Sequence, residues 1–168
     1  MYMLRSIIAI AFISFALTGC LKGADEVNCD YNACGYVAPA AEIAEVQNYL
    51  ATNNIVAQQH CSGLFYVINT PGTGETANIC SFITINYSGS LTNGNTFNQT
   101  TTPVSFKLGD LITGWKNGIP LIKEGGNITL YVPPSLAYGD QERRDQNGNV
   151  IIPANSMLIF TIDLVAVQ

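Results

Sequence analysis

The chain is poor in charge. Of its 168 residues only 11% are Asp, Glu, Lys or Arg, against about 25% in a typical soluble domain. There are seven Lys and Arg, a single histidine (His60) and a single tryptophan (Trp115), and the net charge is −5. A nucleic-acid interface needs a basic footprint, which this composition does not supply. Low charge does not signal disorder here, because 48% of the chain is hydrophobic and disorder requires low hydrophobicity. Several catalytic signatures are also missing. No serine sits in G-x-S-x-G, the turn that exposes a hydrolase nucleophile. Gly72-Thr73-Gly74 lacks the third glycine of a dinucleotide or phosphate loop. Carboxylates are few and scattered, which removes the facing pair a glycosidase needs. One histidine and no C-x-x-C argue against a metal site. An enzyme built from these residues works without a cofactor, a metal or a strong acid or base.

What is present begins at the N-terminus. Arg5 precedes an apolar stretch, Ser6 to Leu17, too short to span a bilayer of about 30 Å as a helix. It ends in L-T-G-C, Leu17 to Cys20. Small residues and a cysteine at this place resemble the lipobox of bacterial lipoproteins. The resemblance implies cleavage after Gly19, with residues 1–19 as signal peptide, and acylation of Cys20. Two or more acyl chains make anchoring stable where one is marginal. By resemblance to Gram-negative sorting rules, Leu21 after the cysteine favours the outer membrane. Spending Cys20 on lipid leaves Cys29, Cys34, Cys61 and Cys80, an even number suited to an oxidising compartment. Four cysteines allow three pairings. The short separation of Cys29 and Cys34 suggests a local loop, and Cys61 and Cys80 then pair across one strand-and-turn unit. A metal held by His60 and Cys61, and free thiols, are the alternatives.

Residues 20–37 lack periodicity and read as a tether. Residues 38–60 form a helical extension, because Pro39 suits a first helical turn and Glu42 and Glu45 sit near the positive end of the dipole. Ile43, Val46 and Leu50, with Tyr49, make one apolar stripe. So short a helix is marginal alone, so docking on the following domain is expected over dimerisation. From residue 61 to 168 the pattern is strands and turns. Leu64 to Ile68, Ser81 to Gly89, Val104 to Leu108, Asn127 to Val132 and Met157 to Val167 read as strands. Thr92 to Asn95 carries an Asn-Gly hairpin signal, and Ile112 to Gly118 reads as a short helix. The expected class is α+β, a twisted antiparallel sheet wrapped around one short helix, with an extra N-terminal helix.

Rotation about an X–Pro bond suits such a composition. Its barrier of about 18–20 kcal/mol comes from amide resonance, and no proton need move. A dry aromatic pocket withdraws the solvation that favours the planar amide. Four ordered segments carry a specific resemblance: N-Y-S-G-S-L-T-N-G-N-T-F-N (Asn86 to Asn98), L-I-T-G-W (Leu111 to Trp115), V-P-P-S-L-A-Y-G (Val132 to Gly139) and I-I-P-A-N-S-M-L-I-F (Ile151 to Phe160). They resemble the FKBP-type peptidyl-prolyl isomerase domain nearly end to end from Gly63.

The resemblance implies that Tyr87, Phe97, Phe106, Trp115 and Phe160 line the cavity, with Trp115 as the base for the prolyl ring. Leu111 and Ile112 complete one rim, the Ile112 N–H holds ligand, Tyr138 donates to a peptide carbonyl, and Ile151 and Ile152 close the other side. Phe82, Tyr66 and Tyr131 match no motif and read as structural. Asn98 stands where the family usually has Asp, removing a buried carboxylate. Val104 lies where many members carry another aromatic. The loop from Tyr138 to Ile151 is longer than usual, overhangs the pocket in the family, and holds an Asn147-Gly148 turn suited to a small hairpin. Arg143 and Arg144 read as its solvated tip, with contact to substrate flanks as the alternative. The expected protein is a monomeric isomerase, anchored by lipid at the envelope, acting on proline-containing unfolded or exported polypeptides and binding macrolide inhibitors. A non-catalytic peptide-binding module is the second expectation.

Overall fold

A computed structural model describes residues 28–168. The signal segment and the acylation expected at Cys20 lie outside the described residues.

Helix α1 spans Ala40–Thr52, with Pro39 at its N-cap and Glu42 in its first turn. It ends where Asn54 takes a positive φ of 56°, a conformation asparagine tolerates better than most residues. The Asn53 side-chain Nδ2 donates to the Tyr49 carbonyl at 2.8 Å and closes the last turn. Val46 and Leu50 are buried. They pack with Phe65, Tyr131 and Met157, so the apolar stripe docks on the domain.

The strands are β1 (Gln58–Gln59), β2 (Phe65–Thr70), β3 (Phe82–Leu91), β4 (Thr96–Gln99) and β5 (Val104–Lys107), followed by helix α2 (Thr113–Gly118). Then come β6 (Asn127–Val132), β7 (Arg143–Arg144), β8 (Val150–Ile152) and β9 (Leu158–Val167). Seven of them form one sheet in the order β1-β2-β6-β9-β3-β4, with β5 also paired to β3. Its strand pairs are antiparallel. Strand β3 pairs with β9 from Ile83 to Leu91. Its other edge is shared by β5, opposite Phe82 to Ile85, and β4, opposite Ser88 to Ser90. The Asn93-Gly94 turn joins β3 to β4, with Gly94 at φ 85°. Successive strand residues face opposite sides, which sorts the sheet into two layers. Leu130 and Val132 of β6 pack in the main core with Trp115 and Ile119. Tyr131, between them, packs against α1. The two helices therefore cover opposite faces.

The close approach of α2 to the sheet rests on two glycines. A Cβ at Gly114 would lie 2.6 Å from the Val132 side chain, and one at Gly118 would lie 2.6 Å from Leu130. The same alternation corrects the reading of Phe82. Ile83 and Ile85 are fully buried, so Phe82 points outward and is 55% exposed. Tyr66 packs against the core and Tyr131 is buried.

The cysteines depart from expectation. The bonds are Cys29–Cys80 and Cys34–Cys61, each with Cα atoms 5.5 Å apart. Neither the Cys29–Cys34 loop nor the Cys61–Cys80 pair is formed. The described part of the tether does not curl on itself. It runs along the domain and is stapled at both ends, because its partners come from the loops around His60 and before β3. Cys34, His60 and Cys61 do lie together, but both sulfurs are spent in the disulfide, so they offer no thiolate to a metal.

Candidate active site

A cavity of about 210 Å³ opens where α2 meets the β3–β4–β9 side of the sheet. Its aromatic walls are Tyr87, Phe97, Phe106, Trp115, Tyr138 and Phe160, and Asn98, Leu111 and Ile112 complete the lining. These are nine of the eleven residues expected at the catalytic and substrate-binding positions. None of the nine is charged.

The rings meet edge to face. Tyr87 and Trp115 have centroids 5.0 Å apart at 79°, Trp115 and Phe160 5.1 Å at 86°, and Phe97 and Phe160 5.7 Å at 84°. Each ring edge sits on the negative face of its neighbour, the favoured arrangement for aromatic pairs. Four rings from β3, β4, α2 and β9 thereby hold one another in place. Trp115 is 5% exposed, and its indole Nε1 has no partner among the described residues. Burial raises the Tyr87 phenol above its usual value of 10.0, and the neighbouring Tyr138 adds to the shift. The hydroxyl is therefore a neutral donor throughout the neutral range.

The structure departs from expectation at two residues. Ile151 and Ile152 do not line this cavity. Ile152 is 4% exposed and belongs to the main core. Ile151 borders an adjacent groove that shares only Phe97 with the cavity. The reason is the register of β8, whose Ile152 pairs with Arg143 of β7 and turns inward. Asn98 lines the cavity but is exposed, so no carboxylate is missing from a buried position. Val104 packs against the core outside the lining.

Three residues take places around the site that the sequence reading did not give them. Gly89 on β3 makes room for the rings, since a Cβ there would lie 2.7 Å from Phe97 and 2.8 Å from Phe160. A glycine inside an alternating strand is the signal for such an approach. Glu42 of α1 accepts the Ser135 N–H at 2.9 Å. That ties the N-terminal helix to the short turn Pro134–Leu136, just before Tyr138. Arg143 stacks its guanidinium 4.4 Å from the Tyr138 ring centre, while Arg144 pairs with Glu142 and donates to the Gly148 carbonyl at 2.6 Å. The small hairpin β7–β8 thus lays one cation on the rim ring and ties the other within its own turn.

Comparison with known proteins agrees with this geometry. The FKBP-type peptidyl-prolyl cis-trans isomerase family matches residues 73–165. The FKBP-type peptidyl-prolyl cis-trans isomerase FkpA of Buchnera aphidicola from Acyrthosiphon pisum is 47% identical over 109 residues, which cover 63% of this chain and 43% of that protein. The chain thus matches less than half the length of this curated relative. The crystal structure of FkpA from Escherichia coli superposes with a TM-score of 0.65 at 33% identity, covering 77% of this chain and 60% of that one. A peptidyl-prolyl cis-trans isomerase structure from Pseudomonas syringae pv. tomato also reaches 0.65, at 28% identity, covering 80% of this chain and 99% of that one. With the family spanning more than half of its length, this chain belongs to the FKBP-type peptidyl-prolyl cis-trans isomerases.

Proposed function

We propose that residues 61–168 form an isomerase domain that accelerates cis–trans rotation of X–Pro bonds, with residues 38–60 as its helical extension. The observation that carries this reading is a cavity walled by six aromatic rings with no charged group in its lining. The prolyl ring rests on Trp115. The Tyr138 hydroxyl and the Ile112 N–H fix the peptide on either side, and Tyr87, Phe97, Phe106 and Phe160 keep water from the twisting amide. A planar amide is stabilised by water in proportion to its polarity, so a dry site favours the less polar twisted form. Each 1.36 kcal/mol taken from the barrier is about tenfold in rate.

The substrates are proline-containing unfolded or newly exported chains, for which X–Pro rotation is a slow folding step. The disulfides support an oxidising compartment. With acylation of Cys20, the protein acts as a monomer anchored in the bacterial envelope, at the outer membrane. Macrolides that mimic a prolyl amide fill the same cavity.

The test is isomerisation of a short X–Pro peptide by residues 21–168, with and without a macrolide inhibitor. Inhibitable acceleration, nearly flat between about pH 6 and 9, is expected, because no side chain acts as an obligate base. A bell-shaped profile overturns the mechanism. The exposed Asn98 and the aliphatic Val104 motivate a second reading, a peptide-binding module without turnover. Tight macrolide binding without acceleration establishes it.

A further inference from the structure

Two cations stand over aromatic rings among the described residues, and they differ in their surroundings. Lys116 lies 5.7 Å over the Tyr31 ring. Both residues line a second cavity beside α2, of about 250 Å³. Its outer wall is the tether at Tyr31 and Ala33, bracketed by Cys29 and Cys34 of the two disulfides. Arg143 lies 4.4 Å over the Tyr138 ring, and Tyr138 lines the first cavity with Trp115. Tyr138 is half-buried and Arg143 is exposed. The guanidinium therefore stands where an uncharged aromatic cavity meets solvent.

The hairpin fixes that position. Arg143 pairs with Ile152, which is buried in the main core. Beyond it, the Asp145 carboxylate accepts the Asn147 and Asn149 N–H groups and the Asn149 Nδ2, closing the turn. Glu142 holds Arg144, and Asp140 accepts from the Gln141 Nε2 at 2.9 Å. Each carboxylate of the loop thus has a partner within the loop. Asp110, beside Leu111 ahead of α2, forms no ion pair with Arg143. Among the described residues the one ion pair is Arg144–Glu142, so Arg143 meets no carboxylate there.

A guanidinium over a ring keeps N–H donors free along its outer edge. That edge matches a carboxylate through two parallel bonds. We infer that Arg143 sets substrate specificity by receiving the carboxylate of a Glu or Asp next to the proline of a bound polypeptide. The inference rests on the reading of the first cavity as the X–Pro site. With the prolyl ring on Trp115 and a peptide carbonyl on the Tyr138 hydroxyl, a side chain beside that carbonyl leaves the cavity past the Tyr138 ring. An extended chain advances only about 3.3–3.6 Å per residue, so the immediate neighbours of the proline are the ones in reach. None of the nine lining residues is negatively charged, so nothing in the lining repels an anion. Glutamine in the same place offers one neutral oxygen and gains less.

The test compares short peptides with Glu, Gln or Lys directly before or directly after the proline, offered to residues 21–168. Trp115 is the single tryptophan and lines the cavity, so its fluorescence reads binding without turnover. Isomerisation of the same peptides gives kcat/KM. At one of the two positions Glu should be favoured over Gln about two- to fivefold at low salt, the range of an exposed charge pair. The position names the side of the proline on which the acid sits. The ratio should fall toward one in about 1 M salt, where charges are screened within about 3 Å. Arg143→Gln should bring it to about one, and Arg143→Glu should turn the preference to Lys. Arg144→Gln, with the same change in net charge, should keep it. A ratio of one at both positions, a ratio that survives Arg143→Gln, or equal loss with Arg144→Gln overturns the inference. Acceleration without charge preference sinks the inference and leaves the isomerase reading standing. Charge-selective binding without turnover does the reverse, and failure of every peptide to bind overturns both.

Discussion

The two cavities beside α2 are closed in different ways. The first is closed by rings that lock edge to face, contributed by α2, the loops beside it and strands of the sheet, all between residues 87 and 160. The second is closed from outside, by a tether segment that precedes the part of the chain matched to the family, residues 73–165. One wall is held by packing, the other by two covalent bonds. A conserved fold can thus carry its own site on one side of a helix while an appended segment builds a second space on the other.

Cutting one staple should have the largest effect. Replacing Cys29 and Cys80 together by alanine should cost about 2–4 kcal/mol of stability, measured by denaturant unfolding. Isomerisation at moderate temperature should survive, since neither cysteine lines the first cavity. Loss of activity in a folded sample would show that the two closures are coupled. Gly89→Ala attacks the other closure. Its new methyl meets two rings at 2.7 and 2.8 Å, and overpacking of this kind costs about 1–3 kcal/mol. Thermal scans should show the loss, and macrolide affinity should fall with it.

Smaller effects sharpen the picture. Tyr138→Phe should weaken peptide binding by about 0.5–1.5 kcal/mol, one neutral hydrogen bond, with the fold intact. Unchanged affinity would remove Tyr138 from the site. Glu42→Ala should raise the KM through a looser turn ahead of Tyr138, and Glu42→Gln, which keeps an acceptor for the Ser135 N–H, should restore most of it. The smallest expected effect is at His60, whose value burial lowers below 6.5. A base held neutral by folding adds stability that is complete above its unfolded value. That stability is lost as pH falls from 6.5 through the depressed folded value. Between about pH 7.5 and 5 the melting temperature of His60→Gln should therefore decline less steeply than that of the parent.

The strands, the short helix and most of the cavity lining were legible in the sequence, for a physical reason. Alternation along β3 and β9 and the motif around Trp115 are local, and local patterns are written in consecutive residues. Asn127 to Val132 was read with its observed bounds. The small hairpin followed from Asn147-Gly148 alone. What was not legible is set by distance in space. The cysteine pairing depends on where the tether lies, and no spacing encodes that. Ile151 and Ile152 were misplaced because a two-residue pairing with β7 decides which way they face. Asn98 was read as a buried position, yet β4 lies at one end of the sheet and leaves it open. Glu42 reaches a turn 93 residues away, a contact with no sequence signal at all.

The Cys29–Cys80 bond also changes what the molecule feels when it is pulled. Whatever holds the chain upstream of Cys29, tension applied there passes through the two sulfurs to Cys80, two residues before β3. The segment in between, a separation of 51 residues that includes α1 and β2, bears none of the load. Force enters directly at the strand that pairs with β9, β5 and β4, so α1 cannot be peeled from the sheet first. Mechanically, the protein begins at residue 80, and only reduction of both bonds would route the pull through the N-terminal helix, because Cys34–Cys61 brackets α1 as well.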